Sequence, residues 1–232
     1  MQALSEPSIL ALWERGRTLH PLDRGLLTVS AAFPDERQSA PADWSLGRRN
    51  RALAQVRRAC FGPTLRGWVP CGSCAEQLEF TVDATAFAEE PLPGDDRAVV
   101  VDGCSFRLPT TRDLAALLDV PDREESARRL ATRCALAAVN DLTNADLGAI
   151  GEAMALADPL AEIVLHFDCP ACGKSFDESL DLAAFVWTEL EAQAKRLLRS
   201  VHVLASAYGW SESEILALSE ARRDAYVELV QS

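Results

Sequence analysis

The chain has 232 residues, 48% of them hydrophobic and 25% charged, and a formal net charge of -12. That length supports one large domain or two small ones with a real core, and the composition excludes wholesale disorder. The negative balance repels nucleic acid and anionic membranes at long range, leaving room only for a local basic face.

The opening "MQALSEPSILALWERGR" mixes acids and bases where a signal peptide needs a cationic start and an unbroken apolar stretch. No run of about 18 apolar residues follows anywhere, so a cytoplasmic protein without membrane association is expected. Residues 1–43 read as an N-terminal helical segment and linker: "SILALWERGRTLH" and "PLDRGLLTVSAAF" are two short helices broken at Pro21, and "FPDERQSAPAD" is a polar connection. Residues 44–68 then carry Arg48, Arg49, Arg51, Arg57, Arg58 and Arg66 with no acid among them. Helical periodicity makes this an amphipathic helix with Leu46, Leu53, Val56 and Cys60 inward and the arginines on the solvated side. A docking face for an acidic partner is the alternative.

"TLRGWVP" leads into a first cysteine pair, and "EQLEFTVD" leaves it with Leu78, Phe80 and Val82 in the period-2 alternation of a half-buried strand. "EEPLPGDD" reads as a loop of solvated acids. "AVVVDGCSFRL" reads as a hairpin, because Asp102-Gly103 suits the positive φ angles of a tight primed turn. Past Pro109 the chain turns helical, with Thr110 as N-cap and Asp113 three residues on as a variant capping box. "PDREESARRLATRCALAAV" and "NADLGAIGEAMALAD" are further helices that open with acids suited to the helix dipole. "AEIVLHFDCP" is a strand entering a second cysteine pair, and "KSFDESLD" is the return strand. The longest helix runs from Leu182 to about Tyr208 and stops at Gly209. Ser211 and Glu214 stand in capping-box spacing, and "SEARRDAYVELV" closes the chain as an amphipathic helix.

The two cysteine pairs belong to one repeated phrase. "CGSCAEQLEFTVDATAF" from Cys71 and "CPACGKSFDESLDLAAF" from Cys169 align without a gap at an offset of 98 residues, with Cys71, Cys74, Asp83, Ala86 and Phe87 matched by Cys169, Cys172, Asp181, Ala184 and Phe185. Each copy has the form strand, C-x2-C turn, strand. Two such knuckles placed face to face supply the four soft ligands that Zn2+ takes at tetrahedral corners, so the expectation is one structural zinc held by Cys71, Cys74, Cys169 and Cys172. A redox dithiol pair and two unliganded pairs that only pack are the alternatives. The 94 residues between Cys74 and Cys169 exceed any compact ribbon, so residues from about 88 to 160 are an insertion.

The fold class expected is therefore α+β, mainly helical with a small antiparallel zinc-ribbon-like unit. Its parts are residues 1–43, a ribbon-like core with its insertion at 44–181, and a helical region at 182–232. Cys60, Cys104 and Cys134 stand alone in apolar surroundings and read as small buried hydrophobes. His166, three residues before Cys169, reads as a surface or hydrogen-bonded histidine and not as a replacement ligand.

A four-cysteine site leaves no open coordination position for substrate or water. The chain has no H-E-x-x-H, no G-x-S-x-G and no phosphate loop, and His20, His166 and His202 lie far apart, so no enzymatic activity and no small-molecule substrate are expected.

Several stretches resemble a known family. The paired "CGSCAEQLEF" and "CPACGKSF", the "FRLPTTRDL" segment at 106–114, the tail "YGWSESEILALSEARRDAYVELV" from Tyr208 and the helical "LWERGRTLHPLDRGLL" together resemble the zinc-knuckle baseplate assembly proteins of contractile phage tails and related contractile injection systems, the T4-type baseplate family. The resemblance implies a non-catalytic role in building the baseplate or hub of a phage-tail-like particle, with baseplate and hub proteins as partners. A fairly large N-terminal addition departs from the family pattern. Trp210 and Tyr226 then become candidate anchors for a partner, against ordinary packing of the last helix on the long one. Arg107, Arg112 and Asp113 become a candidate partner-facing cluster, against caps and surface charge. The rival reading is a zinc-ribbon nucleic-acid-binding module of a transcription or repair complex, using Arg48 to Arg66, and it predicts salt-sensitive binding.

Overall fold

The computed structural model describes residues 1–35, 40–89, 97–139 and 142–231. It has the α+β architecture expected, mainly helical with small antiparallel hairpins. The loop at 89–96 falls outside the described residues except for Glu89, which pairs with Arg58 at 2.7 Å on the surface. Among the described residues no helix is long and apolar enough to cross a membrane.

Helices α1 (Glu6–Gly16) and α2 (Pro21–Ala32) are separated at Pro21, as the sequence implies, and the next helix, α3, spans Leu46–Phe61. Ser5, His20 and Ser45 cap these helices by accepting from backbone N–H groups of the first turn. The first hairpin, β1 (Thr64–Pro70) and β2 (Gln77–Asp83), runs into the short α4 (Ala84–Glu89). Strands β3 (Ala98–Val101) and β4 (Cys104–Arg107) form the second hairpin, with Asp102 and Gly103 at φ 48° and 78° in its turn. Helices α5 (Thr111–Ala115), α6 (Arg123–Cys134) and α7 (Asn144–Ala157) follow. The third hairpin, β5 (Val164–Asp168) and β6 (Ser175–Ser179), hands over to the 27-residue α8 (Leu182–Tyr208). Gly209 stops α8 in the left-handed conformation, and α9 (Glu212–Leu216) and α10 (Glu220–Gln231) complete the chain.

The main core lies where α1, α2 and α3 pack on the first half of α8, with Leu10, Val29, Leu53, Val186 and Leu190 at its centre. A second cluster joins the β3–β4 hairpin to α6 and α7 through Phe106, Cys134, Ile150 and Met154. Cys134 is thus the buried hydrophobe expected and Cys60 is half-buried, whereas Cys104 is exposed. It sits at the turn end of its hairpin, beyond the edge of the cluster under Phe106.

Helix α3 is the largest departure from the sequence reading. Leu46, Leu53 and Val56 do face inward, but Arg49 and Arg57 are buried as well, so the helix is enclosed on nearly its whole circumference. Arg57, 4% exposed, forms a two-pronged ion pair with Glu189 of α8 at 2.8 and 2.9 Å and donates to the Gly62 carbonyl at the end of its own helix. Arg48 lies 4.1 Å over the Trp44 ring, and Arg51 donates to the Ala88 carbonyl at 3.0 Å. The start of α3 is held from far along the chain. Asp158 accepts from the Gly47 N–H at 2.9 Å, and a Cβ at position 47 would lie 1.7 Å from Asp158 Oδ1, so only glycine admits this contact.

The Pro-Thr turn is also an internal device. Asp113 is fully buried and accepts from Arg107 at 2.6 and 2.9 Å, from Arg133 at 3.1 Å and from the Thr110 N–H at 2.9 Å. Arg112 pairs with Asp43 instead. Burial alone would raise the Asp113 pKa, but the Arg107 guanidinium and the Thr110 donors outweigh it and hold the carboxyl well below its ordinary range. A carboxyl with a lowered folded pKa contributes stability above its unfolded value, and that contribution is lost as pH falls through the folded one. Asp113→Asn is therefore expected to cost about 2–4 kcal/mol at neutral pH and to flatten the loss of stability between about pH 4 and 2, measured by denaturant unfolding across that range.

Candidate metal centre

Two of the three hairpins are copies of each other in space as well as in sequence. In the first, Val69 pairs with Leu78 and Trp68 with Glu79; in the third, Phe167 pairs with Phe176 and His166 with Asp177, each partner displaced by the same 98 residues. The knuckle at each tip is closed identically. The Cys71 N–H donates to the Glu76 carbonyl at 2.8 Å and the Ala75 N–H to the Cys71 carbonyl at 2.9 Å; Cys169 to Lys174 and Gly173 to Cys169 repeat these bonds at 2.9 Å each. An aspartate at or just past the end of each return strand also caps the helix behind it, Asp83 as the last residue of β2 accepting from Thr85 N–H at 2.8 Å and Asp181, two residues past β6, from Ala184 N–H at 3.0 Å.

The two tips meet on a small apolar floor. Val69, Leu78, Phe80, Phe167 and Phe176 pack beneath the cysteines, with the Phe80 and Phe167 rings edge to face at 5.8 Å and Phe167 stacked on Phe176 at 5.4 Å. Above them the Sγ atoms of Cys71, Cys74, Cys169 and Cys172 lie within 4.8 Å of one another. Cys71 faces Cys172 at 3.7 Å and Cys74 faces Cys169 at 3.6 Å, contacts that run between the hairpins. Tetrahedral coordination at a Zn–S distance of about 2.3 Å demands edges of about 3.8 Å, so the donor set and its spacing fit one metal ion such as zinc. The first cysteine of each pair is buried and the second is exposed, which puts one side of the cage at the surface.

The four thiols act on one another's protonation. Backbone N–H groups of Ser73 and Cys74 point at the Cys71 sulfur and pull its thiol down to about 6. For Cys74 the Glu76 N–H acts in the same direction, but the neighbouring Cys169 sulfur, burial and the other two thiols push it up to about 12. Four sulfurs this close cannot all ionise against one another unless a positive charge sits among them. His166 is not part of the set. It is exposed, and its ring Nδ1–H donates to the Asp177 carboxylate at 2.7 Å, a hydrogen bond that raises its pKa.

The candidate aromatic anchors assemble away from this centre. Trp210 meets the Tyr226 ring edge to face at 5.0 Å and stacks on Tyr208 at 4.7 Å, which is ordinary packing of α10 beside the end of α8. A buried ion pair missed by sequence reasoning ties α10 to the start of the chain, with Arg223 donating to both Glu6 oxygens at 2.5 and 2.6 Å. No signal within either local segment points to the other, 217 residues away.

No family model, no curated protein and no solved structure matches the chain. The site is therefore read from its own geometry.

Elemental analysis of the purified protein is expected to find one zinc per chain, and Cys71→Ser to lose both the metal and the folded state, because binding by such a cage is part of the folding free energy. The repeat supplies a second, graded test. Ala75 and Gly173 occupy the same position of the two knuckles at φ 60° and 69°. A side chain is strained there, so Ala75→Gly is expected to raise stability by about 1 kcal/mol and Gly173→Ala to lower it by about as much, read from denaturant midpoints of the zinc-loaded protein.

Proposed function

We propose that this protein is a non-catalytic assembly factor organised around one structural zinc ion, and that it takes part in building the baseplate or hub of a phage-tail-like contractile particle. The observation that carries the non-catalytic part is the donor set. Four cysteine sulfurs at tetrahedral spacing complete the coordination of a zinc ion and leave no position for a substrate or an activated water. The metal then staples two distant hairpins together and presents a rigid surface.

What that surface offers is suited to another protein. Trp68 is 65% exposed on β1, beside a groove between the two knuckle hairpins lined by Gly67, Phe80, Leu165, Phe167 and Phe185. Large exposed aromatics beside an apolar groove are the usual anchors of protein interfaces. The assignment to a contractile particle rests on the resemblance of the knuckles, the Pro-Thr segment and the C-terminal tail to the baseplate family.

The nucleic-acid reading draws no support from the basic helix. Arg49 and Arg57 are buried, Arg58 pairs with Glu89, Arg48 and Arg51 are engaged with Trp44 and Ala88, and Arg66 is exposed on β1, apart from the helix, so the stretch does not offer an array of phosphate-seeking cations.

Affinity purification of the tagged protein from its native cells, with nuclease treatment and mass spectrometry, tests the proposal. Hub, spike, tape-measure or sheath proteins are expected to stay bound after nuclease, and Trp68→Ala to reduce their recovery about tenfold or more while zinc content is unchanged. Recovery of polymerase or repair subunits that nuclease releases would overturn it.

A further inference from the structure

A guanidinium never loses its charge at ordinary pH, so burying one is costly unless an anion meets it. Of the three arginines buried among the described residues, two satisfy that rule with a glutamate each, Arg57 with Glu189 and Arg223 with Glu6. Arg49 does not. It is 7% exposed, yet among the described residues it forms no ion pair. Its Nε and Nη2 donate to the Asn50 side-chain oxygen at 3.1 and 2.9 Å and its Nη1 to the Thr111 hydroxyl at 3.3 Å, both neutral acceptors. Five N–H groups are available and these bonds use three. Burial pulls the Arg49 pKa down, and Asp181, too far for contact, offsets this only in part.

The same side chain lines a cavity of about 220 Å3, walled by Leu22 at the start of α2, Leu114 of α5, and Asp181, Leu182 and Ala183 at the start of α8. At that start the Asp181 side chain takes the Ala184 N–H, and the N–H groups of Leu182 and Ala183 have no acceptor within the helix. A buried cation with unused donors and the positive end of a 27-residue helix therefore converge on one space.

We propose that this cavity is an anion site that takes a single carboxylate, with Arg49 supplying the charge. The planar guanidinium matches a carboxylate fork. Charge and size select against larger or doubly charged anions. Glu162 and Asp181 also line the cavity, so a phosphate dianion would meet two carboxylates where a carboxylate brings only one charge. The volume is room for about seven waters, enough for a side-chain-sized or chain-terminal group and too small for a nucleotide. The site is separate from the sulfur cage and holds whatever the partner of the metal-bearing surface proves to be.

Titration of the zinc-loaded full chain at constant ionic strength, followed by melting temperature and calorimetry, tests this. The probes are sodium acetate, sodium phosphate, trialanine with a free carboxyl end and trialanine amide. Acetate and free trialanine are expected to bind saturably and raise the melting temperature, the amide to do neither, and phosphate to bind at least about tenfold more weakly. Tighter binding of trialanine than of acetate identifies a chain end as the source, and equal binding identifies a free small carboxylate. Arg49→Met is expected to weaken acetate binding at least about tenfold. Leu114→Trp, which fills the cavity and leaves Arg49 in place, is expected to do the same and decides the matter if Arg49→Met fails to fold. No saturable response to acetate or free trialanine, phosphate as tight as acetate, or unchanged binding in the variant that folds would overturn the proposal.

Discussion

Four sulfur atoms from two cysteine pairs with 94 residues between them have to meet within 4.8 Å, and the rest of the chain is arranged around that convergence. A C-x2-C turn by itself supplies half a coordination sphere and almost no buried surface. Each knuckle therefore depends on its copy, both for ligands and for the apolar floor of Val69, Leu78, Phe80, Phe167 and Phe176. A cation held among the thiolates would offset their mutual repulsion, and its binding free energy would help to close the loop of intervening chain. The closest sulfur contacts run between hairpins, Cys71 to Cys172 and Cys74 to Cys169, so neither knuckle is complete alone.

The helices hold the hairpins at the right separation. Asp83 and Asp181 each convert the end of a return strand into the start of a helix, and the second of these helices is α8, the spine of the main core. Helix α3 leads into the first hairpin and is clamped to α8 by Arg57 and Glu189. Its other end is clamped by Asp158 and by Asn50, whose amide donates to the Leu160 carbonyl at 2.8 Å, immediately before the third hairpin. The first hairpin thus grows out of α3 and the third runs into α8, and the β3–β4 hairpin with α6 and α7 forms its own cluster under Phe106.

Charge inside this fold is used as fastening. Arg57, Arg223 and Asp113 each link segments that are distant in sequence or would otherwise end in unsatisfied backbone groups. Removing one partner from such a pair leaves an uncompensated charge, which makes the contact specific even where its net stabilisation is small. Arg49 departs from this pattern: it borders a cavity between the starts of α2 and α8.

The order of elements was legible from residues a few positions apart. Pro21 between α1 and α2, Asp102-Gly103 in the hairpin, Asp113 and Glu214 as capping residues, and Gly209 after α8 each act on their own turn of chain, so local pattern located them. The four cysteines were legible for a different reason: an ungapped repeat announces one structure used twice, and two half-sites of one kind complete each other. The arginines of α3 were not. An arginine at helical spacing looks the same whether water or Glu189 receives it, and Glu189 stands 132 residues away. By itself the sequence determined the helices, the hairpins and the identity of the four cysteines that cluster, because those follow from neighbours and from repetition. Only the tertiary structure decided which charges are buried, which are paired and where Arg49 meets its cavity, because burial and pairing depend on what the rest of the chain brings to the same place.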